Sequence, residues 1–544
     1  MITIGKKIGI IILITITSIV LLHVVLGFWI ENRLEDLLNN NTEGSYQIGY
    51  SGIDLHSLFN GATIERLEIK PNTGIHDQAV SIYGTTRRVE INGLQWMKLL
   101  TGKTLQIKDM ILERPEFTVY ISTDTTRRRE PGKSFQNLFK NIISAAELQG
   151  FYLESGRVKF LKFDANDTIQ YASIDRVDIE ALNIETDSVI MSYIIPFQLG
   201  RIKTHFAGIQ YQPDEFSIIT ADSVSFDSQT EDFSASNVSM KLTNDWIDVS
   251  RQMGDQQDII EFDLKKLKIN NLVAKSTLYD TLDIEASSIY IDSLILKDHR
   301  NKNIPRKNEP VKPLFAGMIR QIPFPLNVDS VVISNSHISY TELGEGRTEP
   351  GTLQFGNLNG RFSRITTSPA IQGPLEKIEA TISGNINGNA SIQLELLIPY
   401  EDDRFYAHAK ISNMNALVLN KTIMPLADVR ISSGKIHGIE LTMDANSNTS
   451  GNSLNLDYEN LGVELLIENK NDPGQRYGFL SGLFNTAIRQ NNLPSENGYK
   501  SANYVTTRNL KRGPFNFMWQ SIKEGMVVII PSNTASLFIN KSKK

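Results

Sequence analysis

The sequence predicts a mainly β protein tethered by one N-terminal transmembrane helix, its strands forming an extended antiparallel sheet with a few short amphipathic helices. Three observations predict this: an uncharged apolar stretch near the start, apolar residues at every second position through much of the chain, and few helical patterns long enough to connect parallel strands. The 23 positions from Ile8 to Ile30 hold no formally charged residue. At ~1.5 Å per residue they cross a hydrocarbon layer of ~30 Å. Lys6 and Lys7 precede the stretch and Glu31, Glu35 and Asp36 follow it, so the positive-inside rule keeps the first residues in the cytoplasm and exports the rest. Trp29 falls at the outer interface. A cleaved signal peptide needs a small-residue site of the Ala-x-Ala kind, and the first alanine is Ala62, so the expectation is an uncleaved anchor. His23 has no acidic partner within the span and reads as a tolerated polar residue.

Beyond the anchor the dominant period is two. From Ala380 to Ile398 the even positions read Ala, Ile, Gly, Ile, Gly, Ala, Ile, Leu, Leu, Ile, and the odd ones Thr, Ser, Asn, Asn, Asn, Ser, Gln, Glu, Leu. Such alternation gives strands with one apolar and one hydrated face, here a hairpin turning near Asn387, Gly388 and Asn389. It recurs at Leu282, Ile284 and Ala286, at Phe405, Ala407, Ala409 and Ile411, and at Leu461, Val463, Leu465 and Ile467.

Helical patterns are few. Glu31 to Leu38 continues the anchor, Leu94 to Leu100 reads as a turn or two, and Phe135 to Leu148 as a helix. Asp298 to Pro313, with Arg300, Lys302, Pro305, Arg306, Lys307, Pro310, Lys312 and Pro313, reads as a polar linker dividing the β region. A short amphipathic helix follows, carrying Leu314, Phe315, Met318, Ile319 and Ile322. Phe479 to Arg489 and Pro514 to Gly525 are the last helical candidates. The expected organisation is a cytoplasmic stub and anchor over 1–30, a β region over 31–297, a linker with a short helix over 298–325, a second β region over 326–470, and a helical cap over 471–544. Two echoes run through it without a fixed period: Leu58 to Ile64, with Leu67 and Ile69, resembles Leu99 to Leu105, with Ile107, Met110 and Leu112, and Leu153 to Phe160 resembles Ile333 to Tyr340.

Composition removes several function classes. Among 544 residues there is no cysteine, so disulfides, thiol nucleophiles and thiolate metal sites are excluded. Fifty-five basic residues against 61 acidic give −6, without the basic excess of a nucleic-acid binder. Gly102-Lys103-Thr104 lacks the phosphate-loop glycine, which is Met97, and Gly132-Lys133-Ser134 fails likewise at Arg127. No serine sits in a Gly-x-Ser-x-Gly elbow, and His56, His76, His205, His299, His337, His408 and His437 show no metal-ligand spacing. The expectation is a non-enzyme without metal or cofactor. The basic run Arg127, Arg128, Arg129 and Lys133 reads as a solvated loop.

The segments Tyr50-Ser51-Gly52-Ile53-Asp54-Leu55, Leu58-Phe59-Asn60-Gly61 and Ile64-Glu65-Arg66-Leu67-Glu68-Ile69 after the anchor resemble the start of AsmA-like proteins of Gram-negative envelopes, as does Ile107 to Pro115. Val328 to Ile333, Gly384 to Gly388 and Leu456 to Leu461 are similar to that family's C-terminal region. The resemblance implies a single-pass inner-membrane protein whose periplasmic sheet curls into an apolar β-groove, related to bridge-like lipid transfer proteins and serving outer-membrane integrity, with phospholipid as the partner. An ordinary dry sandwich is the alternative reading of the same strands, and with it a scaffolding role in the envelope.

If the apolar face lines a lipid path, Ile382, Ile386, Ile392, Leu394, Leu396, Phe405 and Ile411 line it, with Thr381, Asn385, Ser391 and Gln393 facing outward. At the C-terminus Phe515, Met518, Trp519 and Ile522 fall near helical spacing beside Arg508, Lys511 and Arg512, and are expected either to cap the sheet or to meet a membrane or partner protein. Met526 to Ile530 reads as a strand or interfacial insert, and a free sheet edge offers a partner strand addition.

Overall fold

A computed structural model describes residues 46–56, 60–72, 74, 79–93, 95, 105–124, 146–164, 167–185, 198–276, 282–307, 310–427, 429–465 and 487–532. The expected anchor, its extension to Leu38, most of the Leu94–Leu100 turn, the basic run at 127–133 and both phosphate-loop look-alikes lie outside them. Among the described residues 64% are in strands and 12% in helices, and no helix is long and apolar enough to cross a membrane. The chain divides into two compact units, one of residues 1–212, 221–230 and 276–280, the other of 213–220, 231–275 and 281–544.

In the first unit β1 (Tyr46–Gly49) and β2 (Gly52–Leu55) pair with β3 (Gly61–Pro71), which pairs with β4 (Val80–Asn92). One edge of β4 is then paired by two strands in succession, β5 (Leu105–Glu113) and β6 (Glu116–Ser122), interrupted at Arg114-Pro115. Both run parallel to β7 (Ala146–Phe163), and β8 (Thr168–Glu185) and β9 (Gln198–Tyr211) follow antiparallel. Ala146 to Leu148, read from sequence as the end of a helix, open β7; residues 135–145 are not described. A strand Ser217–Asp227, β10, follows.

The second unit continues from β11 (Asp232–Leu242) to β12 (Asp258–Asn270), with the short β13 (Val273–Ser276) before β14 (Leu282–Asn301). Then come β15 (Leu326–Leu343), β16 (Gly351–Thr366), β17 (Lys377–Ile386), β18 (Ala390–Pro399) and β19 (Phe405–Ile411). The last strands are β20 (Met414–Asn415), β21 (Val429–Ala445), β22 (Thr449–Leu465) and β23 (Ala502–Thr507). The hairpin between β17 and β18 turns where expected, Ile386 pairing Ala390 across Asn387 and Gly388, whose φ of 47° and 73° suit Asn and Gly.

The expected all-antiparallel arrangement needs correction, because the strands pair in both senses. β14 and β15 are parallel from Ile284↔Leu326 to Asn301↔Leu343, as are β5 and β6 with β7. Parallel neighbours need a crossover of a dozen or more residues. Residues 302–325, read as a divider between two β regions, supply it, with the helix Phe315–Arg320 inside the connection. Asp298 to Asn301 belong to β14 itself.

The sequence echo marks equivalent places. Ser155 in β7 and Asn335 in β15, the same position of the two similar segments, both have positive φ (53° and 51°), and the ladder slips at each. These are β-bulges, which bend a strand and raise its twist. Further positive-φ residues line up at that level across neighbouring strands, Arg66 and Arg114 in the first unit and Asn237, Ser293 and Asn357 in the second. A crease therefore crosses each sheet at one level. Asn, whose short side chain tolerates the left-handed region, supplies three of the second unit's four.

The ladder registers of the second unit set apolar residues side by side. One row runs Phe233, Ile269, Ile289, Val331, Phe362, Ala380, Leu396, Ala407, Met443. The next runs Ala235, Leu267, Ile291, Ile333, Gly360, Ile382, Leu394, Ala409, Leu441, Leu454. The opposite face at the same level carries Ser234, Lys268, Tyr290 and Arg361. The main core forms over β17 to β22, where Leu314 and Ala316, Ala416, and Phe517, Met518 and Ile529 of the C-terminal helix Pro514–Ile529 close over Leu396, Phe405, Met443 and Leu454. Met526 to Ile529 thus complete that helix rather than forming a strand or insert.

Candidate lipid-binding face

The apolar rows change environment along the sheet. Ala380, Leu396, Ala407 and Met443 are buried, at 2% exposure or less. In the same row Phe233, Ile269, Ile289, Val331 and Phe362 are only half-buried. The buried cluster that contains the helix side chains includes no residue of β11, β12, β14 or β15. The helix Trp246–Met253 sits at the opposite face, its Trp246 ring stacked on His299 at 5.1 Å. On β11 to β15, then, two apolar rows continue a closed core and, Ala235 apart, stay half-buried, outside that core's cluster among the described residues.

The seven lining residues expected from sequence fall on the closed side. Leu394, Leu396 and Phe405 are in the main core and Ile382 and Ile411 pack against it; Ile386 is buried and Ile392 half-buried. Phe405 meets Phe315 edge to face at 5.2 Å. These residues border protein, and Thr381, Ser391 and Gln393 face solvent as expected, with Asn385 half-buried.

The C-terminal set also divides. Phe515 and Trp519 are exposed at 59% and 43%, and Phe515 stands 5.4 Å from Phe315. Met518 and Arg508 are inside, 8% and 5% exposed, which removes them from any contact surface. Arg508 donates to the carbonyls of Ser447 (3.2 Å), Arg512 (3.1 Å) and Lys312, tying the end of β23 to the crossover; burial lowers its pKa. Arg512 and Lys511 are half-buried, Arg512 reaching Gln256 at 3.4 Å, and Ile522 packs on the core.

Past the apolar rows, the same face of β12, β14 and β15 ends in charge. Beyond Phe262↔Leu296↔Ile338 come Ile260↔Asp298↔Tyr340 and then Asp258↔Arg300↔Glu342. Arg300 is 5% exposed and pairs with Asp258, which Lys312 approaches at 3.8 Å; Lys302 reaches Glu342 at 2.6 Å, and the Tyr340 hydroxyl donates to Glu342 at 2.6 Å. Burial, then the neighbouring Asp258, pushes the Asp298 carboxyl up to about 7 against the pull of Arg300 and Lys312. Burial and Glu342 raise the Tyr340 hydroxyl too. In the sequence Asp298, Arg300 and Lys312 read as linker polarity, and no motif marks Asp258 or Tyr340. The available signal was the break in alternation after Leu294 and Leu296, where charges take over the apolar positions.

Among the described residues no group of three or more His, Asp or Glu is placed to hold a metal ion. Compared with known proteins, the chain matches no family model and no curated protein.

Proposed function

We propose that the protein is a membrane-anchored, AsmA-like envelope protein that shelters the acyl chains of phospholipid on the apolar rows of β11 to β16 and contributes to outer-membrane integrity. The observation that carries this reading is the continuous, half-buried row Phe233, Ile269, Ile289 and Val331, which continues from Phe362 at the edge of the sealed core and, among the described residues, belongs to no buried cluster. Ordinary sheets bury such a face against a second layer, and an uncovered apolar strip of several strands marks a binding surface. Acyl chains satisfy it without chemistry, as non-directional burial worth ~25 cal/mol per Å². The bulge crease supports the reading by bending the strands that carry the rows.

The core over β17 to β22 supports a second role for that part, as a structural cap where helices replace lipid. Full-length protein purified from membranes and analysed for bound lipid by extraction and native mass spectrometry tests the proposal. Stoichiometric phospholipid is expected; protein free of lipid under conditions that retain membrane lipids on other proteins overturns it and leaves the scaffold.

A further inference from the structure

The charged end of the apolar face is an unusual place for three carboxylates and three cations. Asp258, Asp298, Arg300 and Glu342 stand on strand positions that continue the apolar rows, Lys302 and Lys312 reach them from the crossover, and the next row inward is Phe262, Leu296 and Ile338. Their pairing is incomplete: Asp298 Oδ1, an acceptor, and Arg300 Nε, a donor, are buried without a hydrogen-bond partner. Leaving such groups unpaired is costly, and a ligand that pairs both recovers the cost. One polar group of each kind, set at the end of an acyl-sized apolar strip, matches an amphiphile with an anionic and a cationic centre in its head.

We propose that Asp258, Asp298, Arg300, Lys312 and Glu342 form the headgroup site for a zwitterionic phospholipid bearing a primary ammonium, its chains lying on the rows of β11 to β16. The inference rests on the lipid reading above and deepens it. Arg300 and Lys312 face the phosphate, where charge-assisted hydrogen bonds are strongest. Asp298 accepts from the ammonium, which a quaternary ammonium cannot reciprocate because it has no N–H to donate. With Lys302 on Glu342, three carboxylates face three cations, which selects against a head with net negative charge.

The test uses full-length protein in detergent, loaded with lipids of identical acyl chains bearing ethanolamine, choline or glycerol phosphate heads, or with diacylglycerol, and bound lipid counted by native mass spectrometry. The ethanolamine lipid should exceed the choline lipid about tenfold, roughly the value of one good charged hydrogen bond. Asp298→Asn should erase that preference by lowering ethanolamine-lipid occupancy to the choline-lipid level. Lys312→Gln, at a half-exposed side chain, should lower every phospholipid several-fold against diacylglycerol and serves if Asp298→Asn fails to fold. Equal ethanolamine and choline occupancy in the wild type, or a preference untouched by both variants, overturns the headgroup site but not lipid binding. Displacement of bound lipid by glycerophosphoethanolamine at matched concentration also overturns it, in favour of a site for the free headgroup. No lipid of any kind on the wild type overturns the underlying reading instead.

Discussion

Asp298 and Leu394 both lie on the apolar face of the second unit's sheet, and their surroundings set opposite demands. Asp298 is a carboxyl whose folded pKa, about 7, exceeds its value in an unfolded chain. The folded state therefore binds more protons between about pH 4 and 7, and stability falls as pH rises through that window. The cost is fully present above pH 7 and absent below pH 4. Asp298→Asn removes it, so chemical denaturation at pH 8 should find the variant more stable by ~1–2 kcal/mol, after discounting the shift for partial solvent screening. At pH 4 the two proteins should match, and an equal difference at both values would show that the carboxyl does not titrate in this range. Leu394 is 7% exposed within the main core. Leu394→Asp should unfold the second unit, a buried unpaired charge costing several kcal/mol, whereas Leu396→Ala should cost ~2–5 kcal/mol as a cavity. A folded Leu394→Asp protein with a near-wild-type melting temperature would mean that this part of the face is open after all.

Bulges and crossovers decide the elements. Asn335, at φ 51°, and Ser155, at φ 53°, hold the crease where the parallel strands enter each unit. A β-branched residue resists that conformation, so Asn335→Val should cost ~1–3 kcal/mol while Asn335→Gly should be close to neutral, as thermal melts can establish. Period-two alternation made these strands legible, and Asn387-Gly388 made one hairpin legible, because both are local properties of a few residues. Strand sense was not legible. Whether Ile284 lies beside Leu326 in parallel depends on a crossover of residues 302–325 whose prolines and charges read the same in a linker. The seven residues picked as lipid lining shared the right face, since the register rows include Ile382, Leu394, Leu396, Phe405 and Ile411 with the uncovered strands' apolar residues or their neighbours. Their covering was not legible, because beside the nearby Ala416 it comes from helices more than 60 residues away in sequence, Phe315 on one side and Phe517 on the other. The same holds for the C-terminal helix: its stripe was legible, but which of Phe515, Met518 and Trp519 turns outward depends on packing against β22 and β23. Tyr504 fixes that choice, its hydroxyl donating to the Ser521 carbonyl at 2.5 Å.

For the whole molecule, the apolar stretch from Ile8 to Ile30 and its lysine flank place everything after Ile30 outside the cytoplasm on the proposed reading. Reporter fusions after Asn60 should be active only with exported reporters, and cytoplasmic activity would end the envelope assignment. On the proposed reading lipid occupies β11 to β16 and is shut out of β17 to β22. Photocrosslinking residues placed singly at Ile291, Ile333, Leu396 and outward-facing Tyr290 in membranes with labelled phospholipid measure it directly. Lipid adducts are expected at Ile291 and Ile333 and none at Leu396 or Tyr290. Adducts absent from Ile291 and Ile333, or as abundant at Tyr290, would contradict it.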